Sequence, residues 1–190
     1  RQGLEAMLAS KAYHYLPEMK DRKEALERLF DIELEFTFST SEQAWAALVL
    51  ALDIQDIPKF FKKWKTSRDF AKTVEQIVEI LKLREKGSLD KRACYKYDKR
   101  LLLVAEELRE AYALSVDYLA IERVYDSLTI HDKHEVVVNG GMLIKEYGFQ
   151  PGPALGEILT KIEYAIVDGE LANEKEAIIA YIQQVKEEEK

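Results

Sequence analysis

Catalysis needs reactive side chains that can converge, and three sets in this 190-residue sequence have spacings worth testing against that need. His131 and His134 stand at i, i+3, and His131-Asp132 is a literal His-Asp pair of the kind metal-dependent phosphohydrolases use. Such a site needs further His and Asp ligands upstream and downstream. His14 is the only other histidine, so the pair is expected to sit in an exposed turn. Asp31, Glu33 and Glu35 alternate in "DIELEF", which would send three carboxylates to one side of an extended segment. Paired carboxylates on a strand bind two Mg²⁺ ions in nucleotidyl-transfer chemistry. That chemistry also needs a Gly-rich turn for the triphosphate, and the preceding "ALERLF" has none, so a solvated connection is expected. Cys94 has Lys91, Arg92 and Lys96 for neighbours, cations that lower a thiol pKa. No histidine lies near it in sequence, and a small core residue is the expectation. No P-loop, dinucleotide fingerprint or zinc spacing occurs. No catalytic residue and no metal ligand is therefore assigned, and the chain reads as a binder.

What it would bind is suggested by charge. The formal net charge is −7, which taken alone argues against a polyanionic partner. Between Lys59 and Arg100, however, 14 Lys and Arg face 6 Asp and Glu, a local +8 that leaves −15 for the remainder. A basic block segregated within an acidic chain is the electrostatic footprint of a polyanion site, or else a solvated helical face. Lys62, Lys63, Lys65, Arg68, Lys91, Arg92, Lys96, Lys99 and Arg100 are its candidate phosphate contacts. Phe60, Phe61, Trp64 and Phe70 lie at helical spacing and are expected in the core. Tyr95 and Tyr97, between Lys91-Arg92 and Lys99-Arg100, are expected to be exposed and available for stacking.

The elements that must position these residues are helical. A hydrophobic content of 47% is enough for a buried core, and no run of about 18 apolar residues suggests a membrane span. "LEAMLASKAYHYL" predicts a helix ending before Pro17, and "SEQAWAALVLALDI" a central helix capped by Ser41. Pro58 suits the first turn of "PKFFKKWK", and Gly87 closes the amphipathic "TSRDFAKTVEQIVEILKLREKG". "SLDKRACYKYDKRLLLVAEELREAYA" opens at a Ser cap and breaks near Asp98, and "VDYLAIERVYDSL" follows. Three helices fill about 139–148, 154–168 and 174–187, the last with Asn173 and Glu176 arranged as a capping box. "FDIELEFTFST" alternates like a strand, but one strand makes no sheet, so it is expected to be an extended connection. The acidic "KEEEK" is expected to fray. The fold class is all-α: a helical body over 1–112, with a residual connection at its start, and a small helical tail over 113–190. The start, "RQGLEAMLASKAYHYLP", has no initiator Met or signal-peptide pattern and reads as a helix already under way, the expectation for a piece of a longer polypeptide. The single cysteine fits a reducing, cytoplasmic setting.

"GFQPGPALGEIL" holds the most specific local signal. A helix ends at Gly148, a stiff turn follows, and a helix starts near Pro153. Pro151 and Pro153 fix φ, and Gly152 can take a positive one. The N–H groups of Ala154, Leu155 and Gly156 are expected to point free from a helix N-terminus, where a phosphate can sit. A rigid helical hairpin is the plainer alternative.

The stretch "VVNGGMLIKEYGFQPGPALGEILTKIEYAIVDGELANEKEAIIAYI" resembles the C-terminal tail of bacterial class II CCA-adding enzymes, the tRNA nucleotidyltransferases. Asn139, Gly140, Pro151, Gly152, Pro153, Gly156, Glu163, Gly169, Asn173 and Glu174 fit that family's pattern. "SKAYHYLPEM" looks like its connection from neck to body, and "EQAWAALVLAL" like its first body helix. The likeness covers the whole chain and is specific over 136–182.

The resemblance implies a body and tail that grip the upper half of tRNA along the acceptor and T arm. Asn139, Gly140, Pro151, Gly152, Pro153 and Gly156 would join the basic residues in contacting it. It also implies a full-length enzyme that adds CCA to tRNA 3′ ends from CTP and ATP. Mg²⁺ would act in a catalytic head whose carboxylate and nucleotide-selecting motifs are absent here. No cofactor is expected in this chain, and alone it is expected to be inactive. A stand-alone helical module that uses its acidic final third on a basic protein partner is the alternative.

Overall fold

The computed structural model describes residues 2–32 and 35–188. Glu33, and with it part of the alternating acidic stretch, lies outside the described residues, as do Glu189 and Lys190 of the acidic end. Among the described residues the regular structure is entirely helical: eleven α-helices, three short 3₁₀ turns and no strand. No helix among them is long and apolar enough to cross a membrane. The chain divides into two compact units, 1–88 with 99–119, and 89–98 with 120–190.

The first unit is built on α1 (Gln2–Ala9), α2 (Lys23–Glu27), α3 (Ser41–Ala51), α4 (Ile57–Lys63), α5 (Arg68–Lys86) and α7 (Lys99–Ala111). α5 is its centre, packed against α3, α4 and α7. Of the apolar stripe expected on it, Val74, Ile77, Val78 and Leu81 are buried and Phe70 is half-buried, and Ile80 joins the buried face. The first predicted helix is shorter than its periodicity suggests. α1 stops at Ala9, Lys11 turns left-handed at φ 58°, and a 3₁₀ turn covers Ala12–Tyr15. That break lets Leu4, Met7, Leu8 and Leu16 all pack on one cluster around Tyr13, Met19, Leu26 and Leu52.

Thr40, not Ser41, caps α3, its hydroxyl accepting the Gln43 N–H at 3.0 Å. At the other end of α3, Arg22 donates to the Leu52 carbonyl at 2.7 Å and Arg28 to that of Ala51 at 3.1 Å, supplying cations where the last carbonyls lack partners. Gln43 is fully buried yet satisfied. Its amide donates to the Val104 carbonyl and to Glu107, and its oxygen accepts the Ser39 N–H.

The second unit gathers α6 (Lys91–Lys96), α9 (Gly140–Tyr147), α10 (Pro153–Asp168) and α11 (Lys175–Glu188), with most of α8 (Tyr118–Asp126). α10 is its hub and packs against α6, α9 and α11. α6 is capped by Asp90, whose carboxylate accepts the Ala93 N–H at 2.8 Å, rather than by Ser88. It ends at Tyr97, so the break expected near Asp98 is present. α11 begins at Lys175, and Asn173 is spent elsewhere. Asn173 accepts the Val137 N–H at 3.0 Å and donates to the Glu135 carbonyl at 2.9 Å, which ties the 135–137 loop to the approach of α11.

Candidate nucleic-acid interface

The fold splits the basic block. Lys62, Lys63, Lys65 and Arg68 share the α4–α5 turn of the first unit, and Lys99 and Arg100 open α7 in that same unit. Lys91, Arg92 and Lys96 lie on α6 and belong to the second.

The α4–α5 turn exists because Asp56 caps α4 with Pro58 in its first turn, and Ser67 then caps α5 three residues after Trp64. Lys65 carries the chain round at φ 54°. Beneath it Phe60 and Phe61 are buried and Trp64 and Phe70 partly so, as the spacing predicts. All four surround Trp45, with ring centroids 6.2, 5.5, 5.4 and 6.4 Å from its own. This apolar floor turns the cations outward. Lys62, Lys65 and Arg68 are exposed and face no carboxylate partner among the described residues, whereas Lys63 pairs with Glu18 at 2.8 Å. That pairing, chiefly the hydrogen bond from Lys63, holds the Glu18 carboxyl below its ordinary range. A groove of about 530 Å³ runs along the turn, with Phe61 and Ala71 in its floor and Lys62, Arg68 and Lys72 at its edge.

On α6 the cations are differently employed. Arg92 donates from Nε to both oxygens of Asp168 at 3.0 Å and from Nη2 to one of them, so its charge is met within the unit. This holds the Asp168 carboxyl low and the Arg92 guanidinium high. Lys91 points its ammonium at the Asp168 carbonyl, 3.4 Å away. The expectation that Tyr95 and Tyr97 are exposed is corrected: Tyr97 is 2% exposed, and Tyr95 is half-buried and donates to Glu163 at 2.7 Å. Burial, then that hydrogen bond, pushes the Tyr95 phenol up. Cys94 is fully buried, and desolvation pushes its thiol up to about 11, so the neighbouring lysines do not activate it.

The Pro-Gly-Pro turn is formed much as the sequence suggests. α9 ends on left-handed Gly148 at φ 68°, and α10 opens at Pro153 after Gly152 at φ 158°. Pro151, Gly152, Pro153 and Gly156 are exposed. One expectation fails here. The Gly156 N–H is not free but donates to the Gly152 carbonyl at 3.3 Å, closing the first helical turn, which leaves the amides of Ala154 and Leu155 without a partner among the described residues. Asn139 caps α9 by accepting the Met142 N–H at 3.0 Å. A Cβ on Gly140 would stand 3.4 Å from Leu159 and 3.7 Å from Leu155 of α10, ordinary van der Waals contact with the facing helix.

The acidic candidate includes Glu33 and so lies partly outside the described residues. His131 and His134 are exposed, and no group of three or more metal-ligating side chains occurs among the described residues. Sequence reasoning passed over two sets of polar partners. Glu163, Tyr164 and Asp168 receive α6, and Glu106 and Arg109 lie buried on α7. The second set leaves a trace, since Leu102, Ala105, Glu106 and Arg109 follow the helical stripe and place charge on the core face.

A family model described as tRNA nucleotidyltransferase domain 2 (putative) matches residues 36–182. The chain belongs to that family. It is 59% identical over 186 residues to a protein named CCA-adding enzyme from Streptococcus pneumoniae serotype 19F (strain G54), covering 98% of this chain and 47% of that one. It is 47% identical over its full length to the CCA-adding enzyme of Streptococcus suis (strain 05ZYH33), again 47% of the relative. The crystal structure of the Bacillus stearothermophilus CCA-adding enzyme in complex with CTP superposes with a TM-score of 0.82 at 26% identity, over 92% of this chain and 45% of that one. The chain thus spans about half the length of the curated relatives it matches. The resemblance drawn from "VNG" and "PGP" is the one these comparisons return.

Proposed function

We propose that this chain is the RNA-gripping portion of an enzyme that adds CCA to tRNA 3′ ends, acting with CTP and ATP in the cytoplasm. The acceptor and T arm are the half of tRNA that its body and tail would hold. The observation that carries the gripping role is the rim of Lys62, Lys65 and Arg68, exposed and unneutralised above an aromatic floor, in a chain whose net charge is −7. Cations that meet no carboxylate among the described residues are those left to replace the counterions of a phosphate backbone. The 98% coverage by a protein named CCA-adding enzyme supports the assignment to that reaction. The Mg²⁺ that the family's chemistry implies finds no suitable ligand set among the described residues, so no chemical step is placed on them. The chain alone is accordingly expected to transfer no nucleotide.

The test is equilibrium binding of tRNA across a salt series. Replacing Lys62, Lys65 and Arg68 together with Ala should weaken binding. The dependence of log K on log salt should also flatten, by roughly 0.7–0.9 for each phosphate no longer neutralised. Equal affinity and slope in parent and variant would remove the rim from the interface. Incubating the chain with labelled CTP, ATP and a tRNA lacking its 3′ end checks the second half of the proposal, which incorporation above background would overturn.

A further inference from the structure

In the second unit, Arg92 is held in a way that suits a different role from that of the α4–α5 rim. Its guanidinium is bonded to Asp168 and lies 5.0 Å from the ring centroid of Tyr164, while 58% of its side chain stays exposed. Tyr164 is itself 37% exposed and is braced edge-on by Tyr95, whose centroid is 6.5 Å away. Tyr95 is in turn fixed by its bond to Glu163. The result is a planar cation immobilised before any ligand arrives, so little rotamer entropy remains to be lost.

Beside it opens a slot of about 260 Å³ between α6, α10 and α11. The charged residues lining the slot balance: Arg92 and Lys161 against Asp168 and Glu170. The α4–α5 groove does not balance, with Lys62, Arg68 and Lys72 against Glu75 alone. An unbalanced groove suits a phosphate. A neutral slot with a flat stacking face and both donors and acceptors on its walls suits a neutral heterocycle.

We infer that this slot receives an unpaired nucleobase of the RNA, stacked on the Arg92–Tyr164 platform. The inference rests on the RNA-binding reading above and assigns Arg92 to base stacking rather than to phosphate. An acidic or aromatic peptide is the rival occupant, and the experiment separates the two.

The probe is a single-stranded RNA oligomer carrying 2-aminopurine, compared with the same sequence in a duplex, on the whole chain. Arg92→Lys keeps the charge but loses the planar fork. Tyr164→Leu removes the ring and leaves the Arg92–Asp168 pair in place, which guards against a loss caused by loosening α6. Each should weaken single-strand binding about tenfold, within the range carried by base stacking. Duplex affinity and the salt slope should not change. Unaltered single-strand affinity in a folded Tyr164→Leu variant would refute the inference, as would equal losses on both RNAs with a shallower slope, the mark of a phosphate contact. If the parent binds duplex and single strand equally well without 2-aminopurine quenching, the base slot falls and the RNA-binding reading survives. If it binds neither RNA, both fall and the peptide becomes the occupant to test.

Discussion

Arg84 and Glu106 form a two-pronged pair inside the first unit. Nε and Nη2 of the arginine donate to separate oxygens of the carboxylate at 2.9 and 2.8 Å, with the glutamate wholly buried. The same carboxylate accepts the Asp117 N–H at 2.8 Å, and Arg109, also buried, holds the Ser115 carbonyl. One buried acid on α7 therefore fastens the chain that leads into α8. Removing one partner of such a pair strands a charge. Glu106→Ala should cost about 3–5 kcal/mol in urea denaturation, while replacing Glu106 and Arg84 together by Leu and Met should cost far less. Native amide exchange should also rise at Asp117 in the single variant. Equal losses in the single and double variants would mean that the pair contributes no more than its bulk.

The buried thiol sets a pH dependence. The folded pKa of Cys94, about 11, exceeds its ordinary 9.0, so folding favours the neutral form. That contribution is complete below about 9 and is lost as pH rises through about 11. Stability should fall across this window by more in the parent than in Cys94→Ala. Tyr112, raised to about 12, contributes in the same sense in both. Labelling by a thiol reagent at pH 8 should be slow until denaturant unfolds the chain.

Asn173 spends both ends of its amide on the loop before α9. Asn173→Ala deletes two hydrogen bonds and should cost about 1–2 kcal/mol. The amide of Val137 should lose its exchange protection while those within α10 keep theirs. Full protection at Val137 in the variant would show that another group has taken over.

Gly156 separates helix stability from RNA contact. Nothing lies within 4 Å of a Cβ built there, so Gly156→Ala should raise stability by roughly 0.5–1 kcal/mol through helix propensity alone. Gly156→Glu should remain folded, since an acid in the first turn suits the helix dipole. If this exposed turn faces RNA, that variant should lose about tenfold in tRNA affinity, and an unchanged affinity would make the Pro-Gly-Pro turn purely structural.

Helix ends marked by glycine or proline were legible, because Gly87 and Gly148 can take the positive φ that ends a helix and Pro153 fixes φ in a first turn, without help from distant residues. The caps were less so. "STS" and "SLD" each offer several competent side chains, and tertiary contacts choose among them. Ser39 is taken by Gln43 and Glu107, which leaves Thr40 to cap α3. Asn173 had the right type and spacing for a cap and was claimed by a loop 36 residues away in sequence. The aromatic floor under the α4–α5 rim could be read from helical spacing. The employment of Arg92 could not, since a local count of charge takes no account of a carboxylate 76 residues later.

The excursion of residues 89–98 has a bearing on how such proteins can be recombined. The chain passes between its two units at 88–89, 98–99 and 119–120, so the second unit is not a contiguous stretch of sequence. A chimaera of two homologues with a single crossover near 119 would inherit α6 from one parent and α10 from the other. Arg92, Tyr95 and the buried Cys94 and Tyr97 would then have to match a foreign Asp168, Glu163 and core. Exchanges that move 89–98 together with 120–190 keep those partners in one lineage, and the unit of inheritance is therefore the pair of segments.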